Sequence, residues 1–541
     1  MLLSLSLLAL WPTLSLAAYQ ACPLIQAYYP PPTLDKSSDA LKNITEKITA
    51  TFDSIIRTGK HDVFGEISPN TTSFSVVMFS GAKDGSDPVF LSYHYTAPGA
   101  KNSSKVTRDT VFPIGTLTQL FTVYAWLAKF GDQAWDDPIT KYLPELKSVP
   151  APAGEPAVAW GEVTIGALGS HMAGIARSSN TCVLGKACDK QNFIKSFGST
   201  PALFLPNTTP VLSNAAFQLI AFALTSTSKK TFSATIEETL LHPLKMTQTS
   251  TLSTKPAPIF GAGLKLTAPG EPASLSLLSS TSNLALLGAS ILSSVLLPAA
   301  VTRRWLHPVA ATSNLRNGVG RPWEIYHAGG AAIAPVVDIF LKAGEVGSYS
   351  SYFGLSPDVG GGFAILAYDE SGRAADLNLH ADVIADGLGD LLALAAKEAV
   401  GRYAGTYGAG GDVVEFRAAK DGPGFAVARL VVGGKDVRAE MAGAAGFKVE
   451  DLDLKVYPAM KYQGKEKGET HQFVAVVQDT SALVDAGTPT CITWSTVGAS
   501  LGPGGVDRVL FELDGSGIAA SVRIPARGVI LARAEYTTVV D

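Results

Sequence analysis

Phe112-Pro113-Ile114-Gly115-Thr116-Leu117-Thr118-Gln119-Leu120-Phe121-Thr122 is the stretch from which the rest of this chain can be read. Gly115-Thr116 opens an apolar helix, and a threonine there suits a helix N-cap through its hydroxyl. Positions 116 and 119 lie three residues apart, so on a helix they share one face. That face presents a secondary hydroxyl on a stiff, β-branched side chain and a primary amide. The amide donates and accepts hydrogen bonds but does not titrate. Such a pair can hold a neighbour or a ligand; it cannot shuttle a proton.

Other stretches follow in a definite order. Trp135-Asp136-Asp137-Pro138-Ile139-Thr140-Lys141-Tyr142-Leu143-Pro144-Glu145-Leu146 comes first, then Val163-Thr164-Ile165-Gly166-Ala167-Leu168-Gly169-Ser170-His171-Met172-Ala173-Gly174. Pro210-Val211-Leu212-Ser213-Asn214-Ala215-Ala216-Phe217 and Pro243-Leu244-Lys245-Met246 with Thr249 come next. Gly320-Arg321-Pro322-Trp323-Glu324-Ile325 and Leu341-Lys342-Ala343-Gly344 close the series. Together they resemble the serine β-lactamase and DD-peptidase superfamily over roughly residues 40 to 400. The corresponding patterns are I-G-S-x-x-K, T-I-x-x-L-L-x-H-x-S-G, P-x-Y-S-N-x-x-[FY], P-L-G-M-x-x-T and K-[TS]-G. The likeness is strongest to secreted fungal β-lactamase-like proteins, which share the N-terminal Cys-Pro and a C-terminal β domain.

The resemblance implies roles position by position. Thr116 stands at the nucleophile, Gln119 at the lysine base, Leu212 at the tyrosine of the second motif, Asn214 at its asparagine and Lys342 at the third-motif lysine. The backbone N–H groups of Thr116 and Glu345 would form the oxyanion hole. Three proton-moving or attacking side chains are therefore substituted, and the S-x-x-K motif is degenerate. Removing a nucleophile or base from a comparable hydrolase lowers kcat by about 10⁴ to 10⁶. His171 reads as a turn residue before Met172-Ala173-Gly174 rather than as a base. His327 is a candidate replacement base, and Ser348 and Tyr349 are candidates to line the cleft.

The chain has 541 residues, 46% hydrophobic and 17% charged, with a formal net charge of −4. This composition suits a globular protein with a sizeable core. No Lys/Arg run points to nucleic acid or an anionic membrane surface. Residues 1–18, with the apolar run Leu2 to Leu10 and a small-residue site at Ser15-Leu16-Ala17-Ala18, read as a secretory signal peptide without a basic n-region. Sequons at Asn43, Asn70, Asn102 and Asn207 fit a glycosylating pathway. The 4 cysteines allow three pairings. The closeness of Cys182 and Cys188 favours joining them, which leaves Cys22 with Cys491; two buried free thiols are the other reading. No spacing suggests a metal or a cofactor. Pro272 to Thr302 carries no charge, but its Ser, Thr and Asn content and helical leucine spacing predict a covered helix, not a membrane span.

Residues 19–72 lead in through Pro30-Pro31-Pro32 and a helix from about Ser37 to Thr58. Strands are predicted over 73–97, helices over 115–300, strands over 336–367 and a helix over 374–400. The predicted fold class is α/β, a mixed antiparallel sheet assembled from both ends of the chain with a helical lobe. After Gly401 short strands and Gly turns predict a small all-β domain, including a hairpin at Leu510–Leu513 and Ala520–Ile524. The expected division is 1–18, 19–400 and 401–541.

Relatives with this fold serve as hydrolases, acyltransferases and, in fungal gene clusters, accessory proteins of secondary-metabolite biosynthesis. The resemblance thus leads to three expectations: a degenerate or repurposed acyl-transfer site holding a small acyl, lactone or amide molecule, a non-catalytic binding protein, or a threonine-dependent hydrolase.

Overall fold

The computed structural model describes residues 21–534 apart from 27, 82–85, 101–103, 151, 184, 253–258, 262–269, 330–335, 464–467, 483–487, 499 and 502–503. The proposed leader, residues 1–18, and the sequon at Asn102 lie outside the described residues. Two compact units are formed. Of the described residues, one unit holds those within 34–328 and 338–391, and the other holds those within 21–33, 329–337 and 392–534. The division falls within the long helix Asn378–Tyr403 rather than after it.

The larger unit is built on an eight-stranded antiparallel sheet. Its strands are β1 (Thr72–Ser80), β2 (Val89–Tyr95), β3 (Ala310–Ala311), β4 (Asn317–Val319), β5 (Glu324–Ala328), β6 (Val337–Val346), β7 (Tyr349–Ser356) and β8 (Gly361–Asp369). They lie in the order β2-β1-β8-β7-β6-β5-β4-β3. The N-terminal pair thus joins the C-terminal strands through β1 and β8, where Val77 sits opposite Ala364. The central strands are buried along nearly their whole length, so their sequences read as apolar runs rather than as an alternation.

Helix α1 (Asp39–Thr58) buries Leu41, Ile48, Phe52 and Ile55, a stripe at helical spacing. Ser38 caps its start, and Gly59 at φ +77° ends it. Helices α2 (Thr118–Phe130) and α3 (Asn214–Ser228) are apolar nearly all round and form the buried heart of the helical lobe. The charge-free stretch breaks into α4 (Pro272–Leu275), a short strand Leu277–Ser279, α5 (Thr281–Leu292) and α6 (Ala299–Trp305). Gly288 is the point where α5 meets the sheet, since a Cβ there would lie 2.2 Å from the Phe79 ring. Among the described residues no helix is long and apolar enough to cross a membrane. The first half of α7 (Asn378–Tyr403) belongs to this unit, where His380 lies edge-on to Phe74.

In the smaller unit the predicted hairpin appears as Arg508–Leu513 with Ala519–Ile524. It belongs to a nine-stranded antiparallel sheet in which Asp412–Ala418 pairs with both Gly405–Ala409 and Phe425–Val432, closing a barrel. Tyr403, Tyr407, Phe416, Phe425, Phe473 and Phe511 fill it as a network of edge-on and tilted rings. Cys22 is bonded to Cys491 across a sequence separation of 469, which ties the N-terminal segment to this unit. In the larger unit Cys182 is bonded to Cys188.

Candidate functional site

Two glycines set the geometry of the cleft. Gly115 has φ +51°, in the left-handed region, and a Cβ there would lie 2.5 Å from the backbone of Glu345. Gly344, on β6, would place a Cβ 2.4 Å from the Ile114 carbonyl and 2.5 Å from the Leu117 nitrogen. Without side chains at these positions, the turn Gly115–Leu117 that leads into α2 presses directly on β6. Ser351 of β7 pins it by donating from Oγ to the Ile114 carbonyl at 2.8 Å. Thr116, which precedes α2 rather than capping it, is half-buried, and its Oγ1 donates to the Ala343 carbonyl at 3.2 Å. Thr116, Lys342 and Glu345 are thus brought to one turn-and-strand junction.

One turn further on, the Gln119 Nε2 donates to the Asn214 Oδ1 at 3.0 Å, and both residues are buried. The Gln119 Oε1 has no protein partner. Asn214 is placed by Ser213, which caps α3 by accepting from the Ala216 N–H at 3.1 Å, and by its own N–H bonded to the Arg177 carbonyl at 2.7 Å. Leu212, two residues earlier, is half-buried and brings no polar atom.

Lys342 is 1% exposed and its ammonium pairs with Glu324. The other carboxylate oxygen of Glu324 accepts the Ala343 N–H at 3.0 Å. His171 is buried at φ +62° with neither ring nitrogen hydrogen-bonded within the protein. Burial first, and then the Lys342 charge, push its pKa down to about 3, so the ring is neutral. It packs against the Phe217 ring as a structural turn residue.

Two sequence candidates are not at the junction. The His327 Nδ1 is engaged by Asp338 at 2.6 Å. Asp338 precedes Lys342 by four residues on β6, about 13 Å at a strand's rise. Tyr349 is a core residue, with its hydroxyl on the Phe260 carbonyl at 2.9 Å and its ring against Tyr368.

Two carboxyl groups carry more than their sequence suggested. Glu324 lies inside a quoted motif, and the only hint of its role is a lone acid between Trp323 and Ile325. Glu271 borders the charge-free stretch. It is 2% exposed and accepts the Ser179 N–H at 2.8 Å. Burial pushes its pKa up to about 7 against hydrogen bonds from Ser179 and the Ser178 side chain. Ser178 also accepts from the Asn214 Nδ2 at 3.5 Å. Helix α4, which follows Glu271, is bonded to α2 and α3 through Thr122 Oγ1 on the Ala273 carbonyl and Ser274 Oγ on the Asn214 carbonyl, each at 2.8 Å.

The sheet, the helical lobe and the junction of turn and strand define a serine β-lactamase and DD-peptidase-like protein. A model of the family described as Beta-lactamase matches residues 77–386, and this chain belongs to that family. A second model, described as Beta-lactamase-like-like, C-terminal domain, matches residues 395–535. The chain is 27% identical to the Beta-lactamase-like protein of Arthroderma benhamiae over 394 residues, covering 64% of each chain. It is 30% identical over 225 residues to the D-alanyl-D-alanine-carboxypeptidase/endopeptidase AmpH of Escherichia coli K12, covering 40% of this chain and 53% of that one. The chain thus matches less than two thirds of the length of either relative. Among solved structures, SurE with D-Leu aligns over 91% of this chain and all of its own, with TM-score 0.51 and 17% identity. The β-lactamase/D-alanine carboxypeptidase of Yersinia pestis complexed with citrate aligns over 66% of this chain and 100% of its own, with TM-score 0.50 and 18% identity. At such identities these likenesses speak for the fold.

Proposed function

We propose that this chain is a secreted β-lactamase-like protein whose degenerate acyl-transfer site binds a small acyl, lactone or amide molecule, in a pathway of secondary-metabolite biosynthesis. One observation carries the reading of the site. The Thr116 hydroxyl donates to a backbone carbonyl, and the side chain at the base position is an amide held by Asn214. Neither partner accepts a proton at neutral pH. What survives is a shaped polar junction, which is enough for recognition. The binding test is calorimetry of wild type and Thr116→Ala with a panel of lactones, esters and amides. Retained affinity in the variant supports recognition; loss of all binding with the hydroxyl contradicts it.

Secretion is supported by the apolar leader, by the two disulfides and by the exposure of Asn43, Asn70 and Asn207. Recovery of the glycosylated, leader-free chain from the medium of a secreting host tests it, and retention of the uncleaved chain in the cell contradicts it. The pathway assignment rests on the resemblance to fungal relatives. It is tested by deleting the gene in its host: loss of a secreted metabolite supports it, and an unchanged metabolite profile contradicts it.

A second reading has its own support. Glu271 is a carboxyl that titrates near neutrality and reaches Asn214 through Ser178. In a threonine-dependent hydrolase it would be the candidate base, with bridging water rather than the Asn214 amide carrying the proton from Thr116. Turnover that is lost in both Thr116→Ala and Glu271→Gln would favour hydrolysis over recognition.

A further inference from the structure

Lys342 is the family's third-motif cation, and the structure commits it elsewhere. On β6 it shares a face with Gly344, the glycine pressed against the nucleophile turn, so it lies on the cleft side of the sheet. Its ammonium pairs with Glu324, whose second oxygen takes the N–H of the very next residue, Ala343. Both oxygens of one carboxylate are therefore held by consecutive residues of the strand that walls the cleft. An ammonium so paired offers a ligand little net charge, and separating the pair would leave it buried and unpaired. Position 343 adds no hydroxyl that could help to hold an anion, because it is alanine where K-[TS]-G has Thr or Ser.

We infer that Glu324 sets the charge selectivity of this cleft: it takes uncharged acyl compounds, such as esters, lactones and amides, and rejects carboxylates. The inference rests on the reading of the cleft as a small-acyl binding site and names which members of that class enter. In Glu324→Gln the Lys342 ammonium keeps a neutral partner and becomes available to an anion.

The experiment has two arms. Calorimetry with a β-lactam free acid and its methyl ester should show wild type binding the ester at least about tenfold more tightly, with the ratio narrowed or reversed in Glu324→Gln, the scale of one charge-assisted hydrogen bond. Titration with acetate, which needs no acyl pocket, should show saturable binding in Glu324→Gln and none in wild type. Wild type that binds the acid as tightly as the ester, or a Glu324→Gln variant that gains no acetate site, would overturn the assignment. Should Glu324→Gln not fold, Lys342→Met serves: unchanged affinity for the acid supports the inference, and a drop overturns it. If neither β-lactam form binds while the acetate arm behaves as expected, the small-acyl reading fails and the charge assignment stands.

Discussion

The Gln119 amide donates to the Asn214 side-chain carbonyl across 3.0 Å, so an uncharged bond occupies the position from which an ammonium would act in the family pattern. The contact is buried, and the other end of the same amide, Oε1, has no partner in the protein. This contact is thus made by polar groups that do not titrate.

Removing one side of that contact should cost more than removing both. Asn214→Ala strands a buried N–H donor and should lower stability by about 1 to 3 kcal/mol. Gln119→Leu also removes the unsatisfied Oε1, and the double variant Gln119→Leu/Asn214→Leu should lie closer to wild type than Asn214→Ala alone. Urea denaturation of the three variants measures this. A double variant that is the least stable of them would contradict the account.

The close approach of turn and strand needs both glycines. Gly115→Ala meets a left-handed φ and the Glu345 backbone, and Gly344→Ala meets Ile114 and Leu117. Each should cost about 2 kcal/mol or more, since the obstacles are backbone atoms with no rotamer to yield. Thermal melts check this; a melting temperature within a degree of wild type for both would contradict the geometry.

Glu271 gives stability a defined pH dependence. Its folded pKa of about 7 lies above the ordinary 4.5, so its contribution is fully present below 4.5 and is lost as pH rises through 7. The loss is at most about 3 kcal/mol. His171 and His380, pushed down to about 3 and about 4, act oppositely: their contribution is present above the ordinary 6.5 and is lost as pH falls through those values. Glu271→Gln should therefore gain on wild type between pH 4.5 and 7 and hold a constant advantage above that. Chemical denaturation of both proteins across pH 4 to 8 reads the difference, and parallel curves would contradict the burial argument.

The two disulfides should contribute unequally. Closing a loop of 469 residues removes more chain entropy than closing one of 6, on the order of 6 against 2 kcal/mol in the chain-entropy model. Replacing Cys22 and Cys491 by Ala should cost more stability than replacing Cys182 and Cys188. Equal losses in guanidinium denaturation would contradict it.

Much of the larger unit was legible because its signals are local and ordered. The apolar helix after Gly115, the Ser213-Asn214 helix start and the strands around Lys342 each announce themselves within a few residues. The leucine spacing after Pro272 predicts one covered helix, yet the stretch breaks at Ser276–Ser280 and Ser293–Pro298, where hydroxyl side chains offer the backbone other bonds and Pro298 lacks a donor. What the sequence could not show are the long-range pairings. Glu324 meets Lys342 across 18 residues, and Glu271 meets Ser179 across 92. Nothing in local spacing tells a lone acid in an apolar stretch that it will be buried against a particular donor. His327 looked available for the same reason, because its partner Asp338 lies on the neighbouring strand.

The central claim is that Thr116 sits in an intact nucleophile turn without a group to take its proton. Intact-mass spectrometry of the mature protein after incubation with activated acyl esters and a β-lactam, with turnover followed in parallel and Thr116→Ala as control, tests it most directly. The account predicts no acyl adduct and no turnover above the control. An adduct present in wild type and absent from Thr116→Ala would contradict it, and would show that the secondary hydroxyl still attacks.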